Sequence, residues 1–202
     1  MIYIGALGLS CVFCWTDKDT LGALVILLGL WCLSRVLLIL PENEYSLVVV
    51  YIFCIFTALY CIKQLTAKVT LIIIVSSIGA ELFWWHSAYV DKPHIYYYLG
   101  VLCVTELARE LLVKRVFILS EYFDLISGKV ALDWQIRGIL FSYYMLIVFM
   151  LMEYFVRHLS SYHNTTFVYD NYSFVATIIS GLTLVIIYMH YFHNQAKKYI
   201  AA

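Results

Sequence analysis

The sequence is short of charge. Lys, Arg, Asp and Glu make up 13% of the 202 residues, and 13 bases balance 13 acids to net charge +0. A soluble globular chain carries about a quarter charged residues, so this chain has too few to coat a surface facing water. No Lys/Arg run exceeds two residues. The basic patch of a nucleic-acid binder is therefore missing, and no nucleic-acid partner is expected. Proline is nearly absent, with 2 in the chain. Both stand in polar separators, Pro41 and Pro93, so no proline interrupts an apolar run. There is no internal repeat and no low-complexity stretch.

Catalytic signatures are missing as well. The chain has no GxSG nucleophile, no GxGD aspartyl motif and no phosphate-binding loop, and the last apolar run, Phe174 to Phe192, has no lysine for a retinal-type Schiff base. The six cysteines, Cys11, Cys14, Cys32, Cys54, Cys61 and Cys103, all lie in apolar runs and none in a candidate loop. A disulfide framework places its cysteines on the exposed, oxidised side of a protein; these read as small buried hydrophobes. Cys11 and Cys14 form a CxxC, but no second CxxC or nearby histidine completes a metal site. The expectation is no catalytic residue, no metal, no cofactor and no enzymatic activity.

What the chain has is apolar mass. Hydrophobic residues reach 64%, with 18 Tyr and 12 Phe, and the mean hydropathy is +0.88. Tyr and Trp favour the membrane interface, where one end of the side chain is dry and the other wet. A membrane-crossing helix needs about 20 mostly apolar residues. Runs of that kind cover residues 1–15, 21–40, 45–62, 69–90, 95–113, 138–156 and 174–192. Most separators are a few polar residues long, which makes consecutive helices antiparallel neighbours. The fold class is an all-α polytopic membrane bundle with six to seven crossings. The count turns on the first run, which is short. No Lys or Arg precedes Lys18 and no clear small-residue cleavage site follows, so a short or tilted helix is expected there rather than a signal peptide.

Residues 114–137 are different. Val116, Leu119, Phe123, Ile126 and Val130 recur at helical spacing, opposite Glu121 and Asp124. That pattern predicts an amphipathic helix lying along the membrane surface. Its apolar face, Val116, Leu119, Phe123 and Ile126, is either a packed connector or a docking face for a partner subunit.

Orientation follows from the bases. Lys18, Lys63, Lys68, Lys114, Arg115, Lys129, Arg137, Lys197 and Lys198 gather on one side, and Lys92 and Arg157 on the other. The positive-inside rule places the richer side, with the C-terminus, in the cytoplasm or the matrix of an organelle. The sequons at Asn164 and Asn171 then fall outside.

Four charges fall within apolar runs: Arg35, Glu81, Glu106 and Arg109. Such charges are costly in a bilayer and face the bundle interior or water. Measured from the separator at residues 91–94, Glu81 and Glu106 come out near one depth, about 15 Å below it. Two acids at one level suit proton or cation movement, since a buried carboxylate takes up and releases protons. The alternative is a structural network, with Glu81 paired to Arg35 and Glu106 to Arg109. Histidines split between the two faces, His86, His94, His158 and His163 against His190 and His193, so they cannot converge on one ion. The expected role is a non-enzymatic subunit or accessory component of a larger membrane assembly, in contact with lipid and other membrane subunits; the alternative is a small proton- or cation-linked transporter.

Overall fold

The computed structural model describes residues 2–40, 43–87, 95–123, 130–160 and 166–201, and within them it contains helices and turns but no strand. Seven helices follow in order: α1 (Ile2–Phe13), α2 (Lys18–Ile39), α3 (Glu44–Tyr60), α4 (Leu65–His86), α5 (Tyr96–Phe123), α6 (Val130–Leu159) and α7 (Phe167–Ala201). Four of them contain stretches long and apolar enough to cross a membrane: Thr20–Leu37 in α2, Leu65–His86 in α4, Ala131–Leu159 in α6 and Phe167–Lys197 in α7. The α3 helix is apolar but shorter, at 17 residues.

The helices run past their apolar stretches because capping, not hydropathy, sets their ends. Asn43 has extended backbone and its side chain accepts the Ser46 N–H at 2.8 Å, starting α3. Asp17 precedes α2, and its carboxylate accepts the Thr20 hydroxyl at 3.0 Å. Both are residue types whose short side chains favour the N-cap. Hydroxyls inside the helices turn back on their own backbone. Ser10 donates to the Ala6 carbonyl, Ser77 to Ile73, Thr105 to Val101 and Thr183 to Ile179. A polar group in lipid has to find its partner within the protein, and these do so without leaving the helix.

The chain divides into two compact units, Met1–Trp31 with Ala108–Ala202, and Cys32–Leu107. The second, central unit holds the end of α2, all of α3 and α4, and the first half of α5. On α4 the buried face is Ala67, Thr70, Ile74, Ser77, Ala80 and Trp84. The spacing is helical and most of the residues are small, which lets neighbouring backbones approach closely in a membrane. The α3 helix packs along α4 and presents Val50, Tyr51, Cys54, Thr57 and Ala58. At Gly100 on α5 an added Cβ would lie 2.8 Å from Leu37 Cδ1. Glycine is what lets the end of α2 seat against the start of α5.

The other unit joins α1, the first part of α2, the second half of α5, α6 and α7, with α6 packed along α7. Its core includes Leu7, Leu24, Leu27, Leu112, Leu132, Ile136, Tyr144 and Ile187. The α1 and α7 helices run parallel, bonded at two levels, Tyr3 to Thr183 and Ser10 to Tyr188 at 2.7 Å, and beyond the end of α1 Asp17 accepts from Asn194 at 3.3 Å.

The surface helix expected over 114–137 is not a separate element. Residues 114–123 continue α5, and Val130 already begins α6. The charged residues at the start of this segment do not interrupt the helix, because Arg, Lys and Glu are good helix formers. Of the proposed docking face, Ile126 and the side chains of Val116, Leu119 and Phe123 lie outside the described residues.

Candidate functional site

Arg35 and Glu81 are half-buried and belong to one end of the central unit, where α2 and α4 stop. Arg35 stands within electrostatic reach of Tyr97 near the start of α5, and Glu81 within reach of Tyr51 on α3. Glu106 is at the opposite end. Its carboxylate, fully buried, accepts the Thr66 hydroxyl at 2.5 Å, and Thr66 sits in the first turn of α4.

This corrects the common depth expected for the two acids. Glu81 stands about 22 Å further along α4 than Thr66, the level at which Glu106 is bonded. The sequence estimate counted residues 87–91 as helical rise. The α4 helix stops at His86, with the Ser87 N–H closing on the Phe83 carbonyl at 2.9 Å. Glu81 therefore lies about 8 Å from the end of its helix. The two carboxylates do not share a site.

Arg109, one turn beyond Glu106 on α5, belongs to the other unit. It is 6% exposed, and its guanidinium carbon lies 5.2 Å from the Phe141 ring centre and 5.7 Å from that of Tyr144, both on α6. Ring faces carry partial negative charge, so a buried guanidinium is stabilised there by cation–π attraction. One turn further, Glu110 and Lys114 pair at 3.0 Å, four residues apart on the same helix.

A nearly sealed ion pair involves two residues assigned to the surface segment. Arg115 Nη2 donates to Asp133 Oδ2 at 2.8 Å, with side chains 4% and 5% exposed. It joins the second half of α5 to the first turn of α6. Gly22 on α2 completes the junction, since a Cβ there would lie 2.8 Å from Arg115 Nη1 and 3.1 Å from its Cδ. A signal for this pair exists in the sequence: Arg115 and Asp133 carry opposite charges 18 residues apart, a separation at which two consecutive helices can bring them level.

A second missed group is Glu153 on α6. Its two oxygens accept the backbone N–H groups of Val168 at 3.1 Å and Tyr169 at 2.8 Å. Those are the second and third helical residues of α7, where an N-cap side chain normally bonds. Arg157, one turn along α6, lies over the rings of Tyr154 and Tyr169 at 5.9 and 5.7 Å. Asn171, of the second sequon, is inside α7, with its amide donating to the Phe167 carbonyl at 2.8 Å; Asn164 lies outside the described residues.

Comparison with protein families, with curated proteins and with solved structures finds no match to this chain.

Proposed function

We propose that this chain is a multi-pass membrane protein acting as a non-enzymatic subunit or accessory component of a larger membrane assembly. The observation that carries the reading is α7. Its apolar stretch runs over 31 residues, and only 11% of its most apolar window is buried within the chain. An apolar surface of that length needs lipid or another membrane helix against it. Buried Glu106, Arg109, Arg115 and Asp133 each engage hydroxyls, rings or opposite charges of the chain itself, which supports a structural use of its charges over a catalytic one.

In this reading α3 and α5 cross along with the four long apolar helices, giving six crossings, and α1 is a short seventh. The basic residues place the C-terminus on the cytoplasmic or matrix side. The test is gentle extraction from the native membrane followed by native mass spectrometry. A defined set of other proteins retained with the chain is the expected result. Recovery of the chain alone, or only with copies of itself, would overturn the subunit reading.

A further inference from the structure

The α7 helix is 35 residues long, while a bilayer crossing takes about 20. The apolar run read from the sequence begins at residue 174, and residues 167–173, with Asp170, Asn171 and Ser173 among them, form the first two turns of the helix. Phe167, Tyr169, Asp170 and Asn171 in it are exposed. Three contacts with α6 pin it: Glu153 on the Val168 and Tyr169 N–H groups, Tyr143 OH with Tyr172 OH at 2.9 Å, and Arg157 over the Tyr169 ring. Only the first satisfies backbone N–H groups of the opening turn. Thr166, just before the helix, donates its hydroxyl to Asp170 Oδ2 at 2.9 Å.

We propose that Glu153 is a pH-sensitive latch, and that the first two turns of α7 are an arm released from α6 when this carboxylate takes up a proton. The chemistry is direct. An ionised carboxylate offers acceptor sites on both oxygens, and both are used; a protonated one becomes a hydroxyl donor at one oxygen, facing an N–H that also donates. The negative charge that complements the positive end of a helix dipole disappears at the same time. Charged and titratable groups stand near the latch on both helices. On α6 they are Arg157, one turn further along, and His158, whose ring centre lies 4.6 Å from that of Tyr154 at a tilt of 36°. On α7 the charged group is Asp170, which is exposed.

The test is amide hydrogen exchange of the full chain in lipid nanodiscs, corrected for intrinsic rate, followed from about pH 7 to about pH 4, the range in which carboxylates titrate. Val168 and Tyr169 are expected to lose protection by roughly tenfold or more on acidification, the order given by a charged hydrogen bond, while Ile187 in the core of the same helix does not change. In Glu153→Gln the same two amides are expected to be as poorly protected at neutral pH as the wild type is in acid, with no further pH response. Unchanged protection in the wild type across this range overturns the latch. So does a Glu153→Gln protein whose amides match the neutral wild type, or one that still responds to acid, since Asp170 or a histidine would then be the titrating group. Should the variant fail to fold, Asp170→Asn and His158→Gln decide: an acid response kept in both supports the latch, and a response lost in either overturns it.

Discussion

Arg115 and Asp133 show what a single buried charge does to its neighbours. Each is nearly sealed from solvent, so neither tolerates loss of the other. Truncating one partner of a buried pair typically costs about 3–5 kcal/mol, because the remaining charge stays in a low-dielectric site. Replacing both by apolar residues of similar volume costs far less. Asp133→Ala is therefore expected to lower the thermal midpoint in detergent sharply, and Arg115→Met with Asp133→Leu to recover much of the loss. If Asp133→Ala melts like the wild type, the pair is hydrated in solution and the junction with Gly22 is open. Glu106 differs in being bonded to a neutral hydroxyl, Thr66. The sequence marked Glu106 because a carboxylate in an apolar run stands out. It gave less notice of Arg115 and Asp133, which lie among other charges and look like surface residues until the helices are paired.

At the scale of elements, the α1–α7 contact is polar at intervals. The bonded levels at Tyr3, Ser10 and Asp17 are separated by Leu7 and Cys14, both fully buried. This alternation fixes register: sliding α1 by one turn would put Ser10 against apolar side chains and leave the Tyr188 hydroxyl in a dry site. A double-mutant cycle on Ser10→Ala and Tyr188→Phe is expected to show a coupling of about 0.6–2 kcal/mol, the range for hydrogen bonds between membrane helices. Additive effects would mean that the register comes from packing alone. The existence of the seven helices was legible from apolar runs bounded by polar separators, and Asn43 and Asp17 stand where capping residues belong. The lengths were not. Hydropathy reports where a helix is dry, whereas backbone hydrogen bonding continues through residues such as Val168 to Ser173 or Lys114 to Phe123 for as long as the ends find caps. The same gap accounts for about 8 Å of the error in Glu81's depth, which was counted from a loop instead of from the end of α4.

For the whole molecule, four helices are long and apolar enough to cross a membrane, and within the proposed six or seven crossings the count turns on α1. With 12 residues, α1 rises about 18 Å, well short of the roughly 30 Å hydrocarbon core. Its partner α7 offers a parallel track, and the pairing reaches from Tyr3 to Asp17. Exposed Trp15, at the turn before α2, is the kind of side chain that settles at a membrane interface. Held parallel to a crossing helix, with Trp15 at one interface, α1 would reach toward the other side with Met1 leading. Short epitope tags at the two termini, read by protease protection in sealed vesicles of known orientation, decide the matter. Seven crossings place the tags on opposite sides, which is the expected outcome. Tags on the same side would mean that α1 enters and stops without crossing, leaving six crossings. The polar bonds between α1 and α7 would then lie within a half-crossed helix pair, and the Ser10–Tyr188 coupling would be expected at the weak end of its range, because water could reach both hydroxyls.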